Sequence, residues 1–247
     1  MRRAILVSIL LLAAACGPAA TTPATTATAV PSTATPTALP SSTPEPTPTF
    51  TPPPPTPLPR FFTEEFDGRL PDWAILQSNQ VSLPGTRVED GMLFFELVVP
   101  YQWVYAIFGA EEYSDARVDG LVQSRGTSPE ALGLICRYSE ANGWYEFNIS
   151  SDGTYSVLFG QWLAAGVATY TPIASARSEY LEPGAARNEI GLSCQKDTLS
   201  LYINGKLFRN LDVSRFGLEE GRLGLTAASF DNVPVRAVFD WVKVSLP

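Results

Sequence analysis

The apolar positions of this chain recur with a period of two over most of its last three quarters. Ile190, Leu192 and Cys194 alternate with Glu189, Ser193 and Gln195; beyond Lys196-Asp197 the pattern resumes with Leu199, Leu201 and Ile203 against Ser200, Tyr202 and Asn204. Alternation of this kind marks strands with one face on a core and one toward water. Turn pairs suited to hairpins stand between such runs at Asp90-Gly91, Asn142-Gly143, Asp152-Gly153 and Asn204-Gly205. The pattern predicts strands at 61–66, 92–99, 101–109, 116–124, 131–139, 144–150, 154–160, 187–195, 198–204, 206–211, 221–228 and 235–245, with no convincing helical period. Many short strands in one domain of this length imply an all-β, two-sheet antiparallel sandwich, because only a second sheet can cover the apolar face of the first.

The front of the chain has a different character. Met1-Arg2-Arg3 is followed by an apolar run from Ala4 to Ala15 and then by Cys16. At 1.5 Å per residue this run is too short to cross about 30 Å of hydrocarbon, so it reads as an export signal. From residue 17 to residue 60 the chain is dominated by Pro and Thr, with Glu45 as the single acid. Such a tract has too little apolar side chain to offset its ordering entropy, and we expect a disordered, extended linker. The expected organisation is a signal over 1–16, a linker over 17–60 and a folded domain over 61–247.

Small residues directly before Cys16 make the segment similar to the signal box of bacterial lipoproteins, although Ala13 stands where leucine is usual. The resemblance implies that Cys16 is acylated and that the chain is held on a membrane outside the cytoplasm. A second resemblance runs along the domain: Phe62 to Gly68, Gly133-Leu-Ile-Cys-Arg-Tyr, Gly143-Trp-Tyr-Glu-Phe-Asn-Ile-Ser, Asp152-Gly-Thr-Tyr, Leu199-Ser-Leu-Tyr-Ile-Asn-Gly, Gly221-Arg-Leu-Gly-Leu and Phe239-Asp-Trp-Val-Lys-Val. In that order they resemble the concanavalin A-like (laminin G-like) jelly-roll superfamily. The likeness implies two large curved sheets. Its members include lectins, adhesion modules and glycoside hydrolases, so the fold does not choose among these functions.

The chemistry available is narrow. The chain has no histidine and a net charge of −8, which removes Ser-His-Asp and Cys-His catalysis in their usual forms and disfavours nucleic acid as a partner. Hydrolysis would then need a carboxylate pair. Glycosidases of this fold resemble one another in a strand of alternating acids, and the nearest match is Glu146-Phe-Asn148-Ile-Ser150, in which Asn and Ser replace the second and third acids. We therefore expect no catalytic residues.

Binding of a polysaccharide or glycan is the expected function, with Trp144, Glu146 and Asn148 sharing one strand face, Arg137 on the neighbouring strand and Trp162 just beyond the next. Flat rings stack on the apolar faces of sugars while amides and charges bond their hydroxyls. Tyr101, Trp103 and Tyr105 form a second aromatic row. If both sheet faces are covered these rings are core instead, a reading that suits Trp103 and Trp241 best, whereas Trp162 is expected to be exposed. A protein adhesion module and a hydrolase with a non-standard carboxylate pair stay open. Cys136 and Cys194 fall on inward phases and, in an exported chain, are expected to form a disulfide. No cofactor is expected; Asp67 and Asp240 are the nearest approach to a calcium site, but no compact acidic loop accompanies them.

Overall fold

The computed structural model describes residues 59–79, 85–126 and 129–247. The signal segment, Cys16 and the linker as far as residue 58 lie outside the described residues. The rest is all-β, apart from one short 3-10 turn at Ser214–Phe216. In chain order the strands are β1 (Thr63–Glu64), β2 (Trp73–Ser78), β3 (Gly85–Glu89), β4 (Met92–Leu97), β5 (Trp103–Phe108), β6 (Ala116–Ser124), β7 (Glu130–Ser139) and β8 (Gly143–Ile149). They continue as β9 (Thr154–Ala164), β10 (Val167–Arg177), β11 (Arg187–Gln195), β12 (Thr198–Ile203), β13 (Lys206–Asp212), β14 (Arg222–Ser229) and β15 (Val235–Ser245).

Two antiparallel sheets result. One has the order β13-β12-β11-β6-β15-β4-β3, with β1 added alongside β15; the other runs β10-β9-β8-β7-β14-β5-β2. Hairpins supply the local pairings: Asp90-Gly91 joins β3 to β4 and Asn204-Gly205 joins β12 to β13, all four residues having positive φ as the tightest hairpin turns require. The non-local pairs, such as β5 and β7 on either side of β14, interleave distant parts of the chain.

The core lies between the sheets and follows the alternation. Leu192, Cys194, Leu201, Phe95 and Phe239 come from one sheet, and Leu132, Leu134, Phe147, Val157 and Leu225 from the other, all in one buried cluster. Burial of each such side chain contributes roughly 1.5–3 kcal/mol. Cys136 of β7 and Cys194 of β11 form the expected disulfide, which staples one sheet to the other across this core.

Four strands depart from the sequence expectation: β2, β3 and β10 were not foreseen, and β9 runs to Ala164 instead of stopping at 160. Trp241 is also half-buried on the outer side of its sheet rather than core. A bulge on β15 between Phe239 and Trp241 shifts the inward set from Val235, Ala237 and Phe239 to Val242 and Val244, which turns Trp241 outward.

Candidate functional site

The seven-stranded sheet has a second apolar cluster on the face turned away from the core. Tyr105 and Ile107 of β5, Ile135 and Tyr138 of β7 and Trp144 of β8 are its buried members, with Leu76, Trp103, Trp162, Ala168 and Tyr170 packed against them. The cluster exists because β9 and β10, one edge of the sheet, curl over that face. Trp162 of β9 lies 5.2 Å from Trp144, and Tyr170 of β10 stacks on Trp103 of β5 at 5.4 Å. The Tyr170 and Tyr105 hydroxyls are hydrogen-bonded, and past the hairpin tip the Gly166 carbonyl accepts the Asn79 N–H at 3.1 Å. Asn79 follows β2, the opposite edge. The hairpin therefore roofs the middle of a groove whose floor is the sheet.

Glycines make the layering possible. A methyl group at Gly160 would stand 2.4 Å from Trp144 Cε2, so the indole lies flat over the backbone of the next strand only because that position has no side chain. Gly133 does the same for Asn148, whose Oδ1 would be 2.1 Å from an added methyl.

Trp144, Glu146, Asn148 and Trp162 are thus brought to one face. Trp144 and Glu146 are wholly buried and Asn148 is 2% exposed. The Trp144 indole N–H donates to Glu146 Oε1 at 2.7 Å, and Asn148 Nδ2 donates to Glu146 Oε2 at 3.1 Å. Loss of water outweighs these two bonds, and the Glu146 carboxyl is pushed up to about 7. Burial, followed by the nearby Glu146 charge, also raises Tyr105 and Tyr170 well above the ordinary phenol value. Trp162 is half-buried rather than exposed, its N–H donating to the Tyr138 hydroxyl at 2.9 Å; the loop expected around it is strand.

Arg137 is placed apart from this group. It occupies a bulge in β7 with φ +53, and its guanidinium turns toward the loops at one end of the sandwich. There it donates to the Ser114 carbonyl at 2.8 and 3.0 Å, the Lys196 carbonyl at 2.6 Å and the Leu218 carbonyl at 2.5 Å, with the Asp115 carboxylate at 3.3 Å. At 3% exposure it ties three chain segments together. Asp240 is engaged by Arg187 at 2.7 Å, and among the described residues no group of three or more His, Cys, Asp or Glu is placed to hold a metal ion.

The groove stays open at both ends of the roof. One opening, of about 590 Å³, lies between β2 and the hairpin tip and is lined by Ile75, Leu76, Tyr138, Trp162 and Leu163. The other, of about 400 Å³, lies where β8 turns into β9 and is polar by the side chains Asn148, Ser156, Ser175 and Arg177 of its walls, while Ala131, Ile149, Ala176 and Phe230 give it apolar surface as well. Ser156, Ser175, Arg177 and Phe230 escaped sequence reasoning: Ser175 and Arg177 lie on the unrecognised edge strand β10, and nothing in the sequence sets Ser156 of β9 or Phe230, just after β14, apart from ordinary strand and loop positions.

No protein-family model matches the chain and no curated protein matches it. Solved structures do. A Bacillus licheniformis beta-glucanase is 10% identical, with 76% of this chain and 98% of that one covered at a TM-score of 0.53. The catalytic domain of an endo-1,3-beta-glucanase (laminarinase) from Thermotoga petrophila is 14% identical over 74% and 95% at 0.51. A Bacillus subtilis protein with a galectin-like fold is 12% identical over 75% and 94% at 0.52. The fold is the concanavalin A-like sandwich. At these identities the likeness is one of architecture, and the site has to be argued from its own residues.

Proposed function

We propose that this chain is a non-catalytic glycan-binding protein, held outside the cytoplasm by a lipid on Cys16, with the Thr/Pro-rich linker as a spacer that raises the local concentration of the domain near its target. The observation that carries the reading is the state of Glu146. It is the one acid in the strands of the seven-stranded sheet whose phase faces the groove, and it is sealed between Trp144 and Asn148. Hydrolysis of a glycosidic bond by the common route asks for two carboxylates with access to the substrate. The other acid in those strands, Glu130, is occupied by the N–H and hydroxyl of Ser151 at 2.8 and 3.1 Å. Aromatic rings beside a polar opening support sugar recognition instead.

Glycan arrays probed with the full-length chain test this, together with an assay for new reducing ends on the bound polysaccharides. We expect binding without release of reducing ends; release abolished by Glu146→Gln would replace the reading with a hydrolase. Metabolic labelling with a fatty acid should mark the parent chain and not Cys16→Ala. A protein adhesion role is favoured by one observation, the exposure of Ile75, Leu163 and Val167 around the apolar opening, and it takes precedence if the array shows no bound glycan.

A further inference from the structure

We infer that the polar opening seats the terminal unit of a glycan and that the aromatic roof bars internal stretches of chain from the groove. The inference rests on the glycan reading above and specifies which part of the polymer is read. Two features lead to it.

The first is the blockage. A polymer segment lying across the sheet would need the space occupied by Tyr170, Trp162 and their partners Trp103, Tyr105 and Trp144, which are in ring-to-ring contact from one side of the sheet to the other. The hairpin that carries Tyr170 and Trp162 is fastened at its tip to the far edge through Asn79 and Gly166. Only the ends of the groove accept a ligand, and a ligand that enters there meets a wall.

The second is the chemistry of that end. A volume of about 400 Å³ is at the small end of the range for small-molecule sites. It is the size of a short saccharide and not of a polymer run. Ser156 and Ser175, paired across β9 and β10 at the Cα level, present two hydroxyls, Arg177 adds a cationic donor whose Nη1 also holds the Asp152 carbonyl at 2.9 Å, and Phe230 offers a ring. Asn148 closes the inner wall. Its Oδ1 is buried and has no hydrogen-bond partner among the described residues. A buried acceptor left unpaired in a native fold calls for a donor, and a sugar hydroxyl reaching the inner wall supplies one directly or through a bound water.

The test uses the full-length chain and the oligosaccharide series that the array picks out, titrated by calorimetry at two to six sugar units, with each chain end blocked in turn. Terminal recognition gives an affinity that changes less than about threefold from two to six units, and one blocked end abolishes binding while the other does not. Ser175→Trp, an exposed position, and Ser156→Gln each lower affinity at least tenfold with unchanged melting and circular dichroism, whereas Leu163→Ser at the hairpin tip leaves it as in the parent. Affinity that climbs more than tenfold with length, or that ignores both serine variants, overturns the inference and leaves the glycan reading standing. An array with no bound glycan removes both.

Discussion

The Glu146 carboxyl, shut between Trp144 and Asn148, titrates over a range in which an exposed glutamate is already ionised. Folding raises it from 4.5 to about 7, so between those values the folded chain holds a proton that the unfolded chain has released. Its contribution is therefore fully present below the unfolded value, is lost as pH rises toward 7 and stays lost above it; the shift corresponds to about 3 kcal/mol. Urea denaturation at pH 5 and pH 8 should show the parent less stable at the higher pH. Glu146→Gln, whose amide oxygen can accept from Trp144 and whose amide nitrogen can donate to Asn148 Oδ1 once the Asn148 amide turns over, should remove most of that difference. An unchanged difference in the variant would place the titrating group elsewhere. The common face of Trp144, Glu146 and Asn148 was legible from period-two alternation alone. Their burial was not, because it depends on residues more than ten positions further along the chain that show no clear period.

Among the strands, the unforeseen ones share a cause. β2 and β10 are the two edges of one sheet and β3 is an edge of the other. An edge strand pairs on one side only, so it tolerates Pro172 in β10, and the five-residue β3 buries none of its side chains fully, which leaves little apolar signal. The fourth edge, β13, was found because Asn204-Gly205 announces its hairpin. Missing β10 concealed the roof. The β9–β10 hairpin holds its place through Trp144 packed on Gly160, so Gly160→Ala forces that indole off its seat at a cost of about 1–3 kcal/mol. Hydrogen exchange should report the loss mainly as faster exchange over residues 154–177, with β6 and β15 unaffected; uniform acceleration across both sheets would mean that the hairpin does not open as a separate unit.

For the molecule as a whole, the Cys136–Cys194 disulfide closes a loop with a sequence separation of 58. In the chain-entropy account it contributes roughly 4 kcal/mol by restricting the unfolded ensemble. Replacing both cysteines by alanine should lower the denaturant midpoint and steepen the transition relative to the oxidised chain, because the denatured chain without the cross-link is more expanded and exposes more surface. The two-sheet architecture and this pairing were both readable beforehand, since the alternation that turns Cys136 and Cys194 inward recurs along the central strands. Which face is roofed is decided by one hairpin, and no average over the chain contains that information.

The bond from the Phe62 N–H to the Val244 carbonyl and its return partner, together with the two-residue pairing of β1 against β15, make up the seam where the linker joins the domain. Traction arriving at residue 59 would meet this short seam first and could unravel it strand by strand. The unravelling has a covalent stop. Once tension reaches Cys136 it passes directly to Cys194, so β8, β9 and β10, which carry most of the polar opening, sit in a mechanically shielded loop that no pull from the N-terminal side can stretch out.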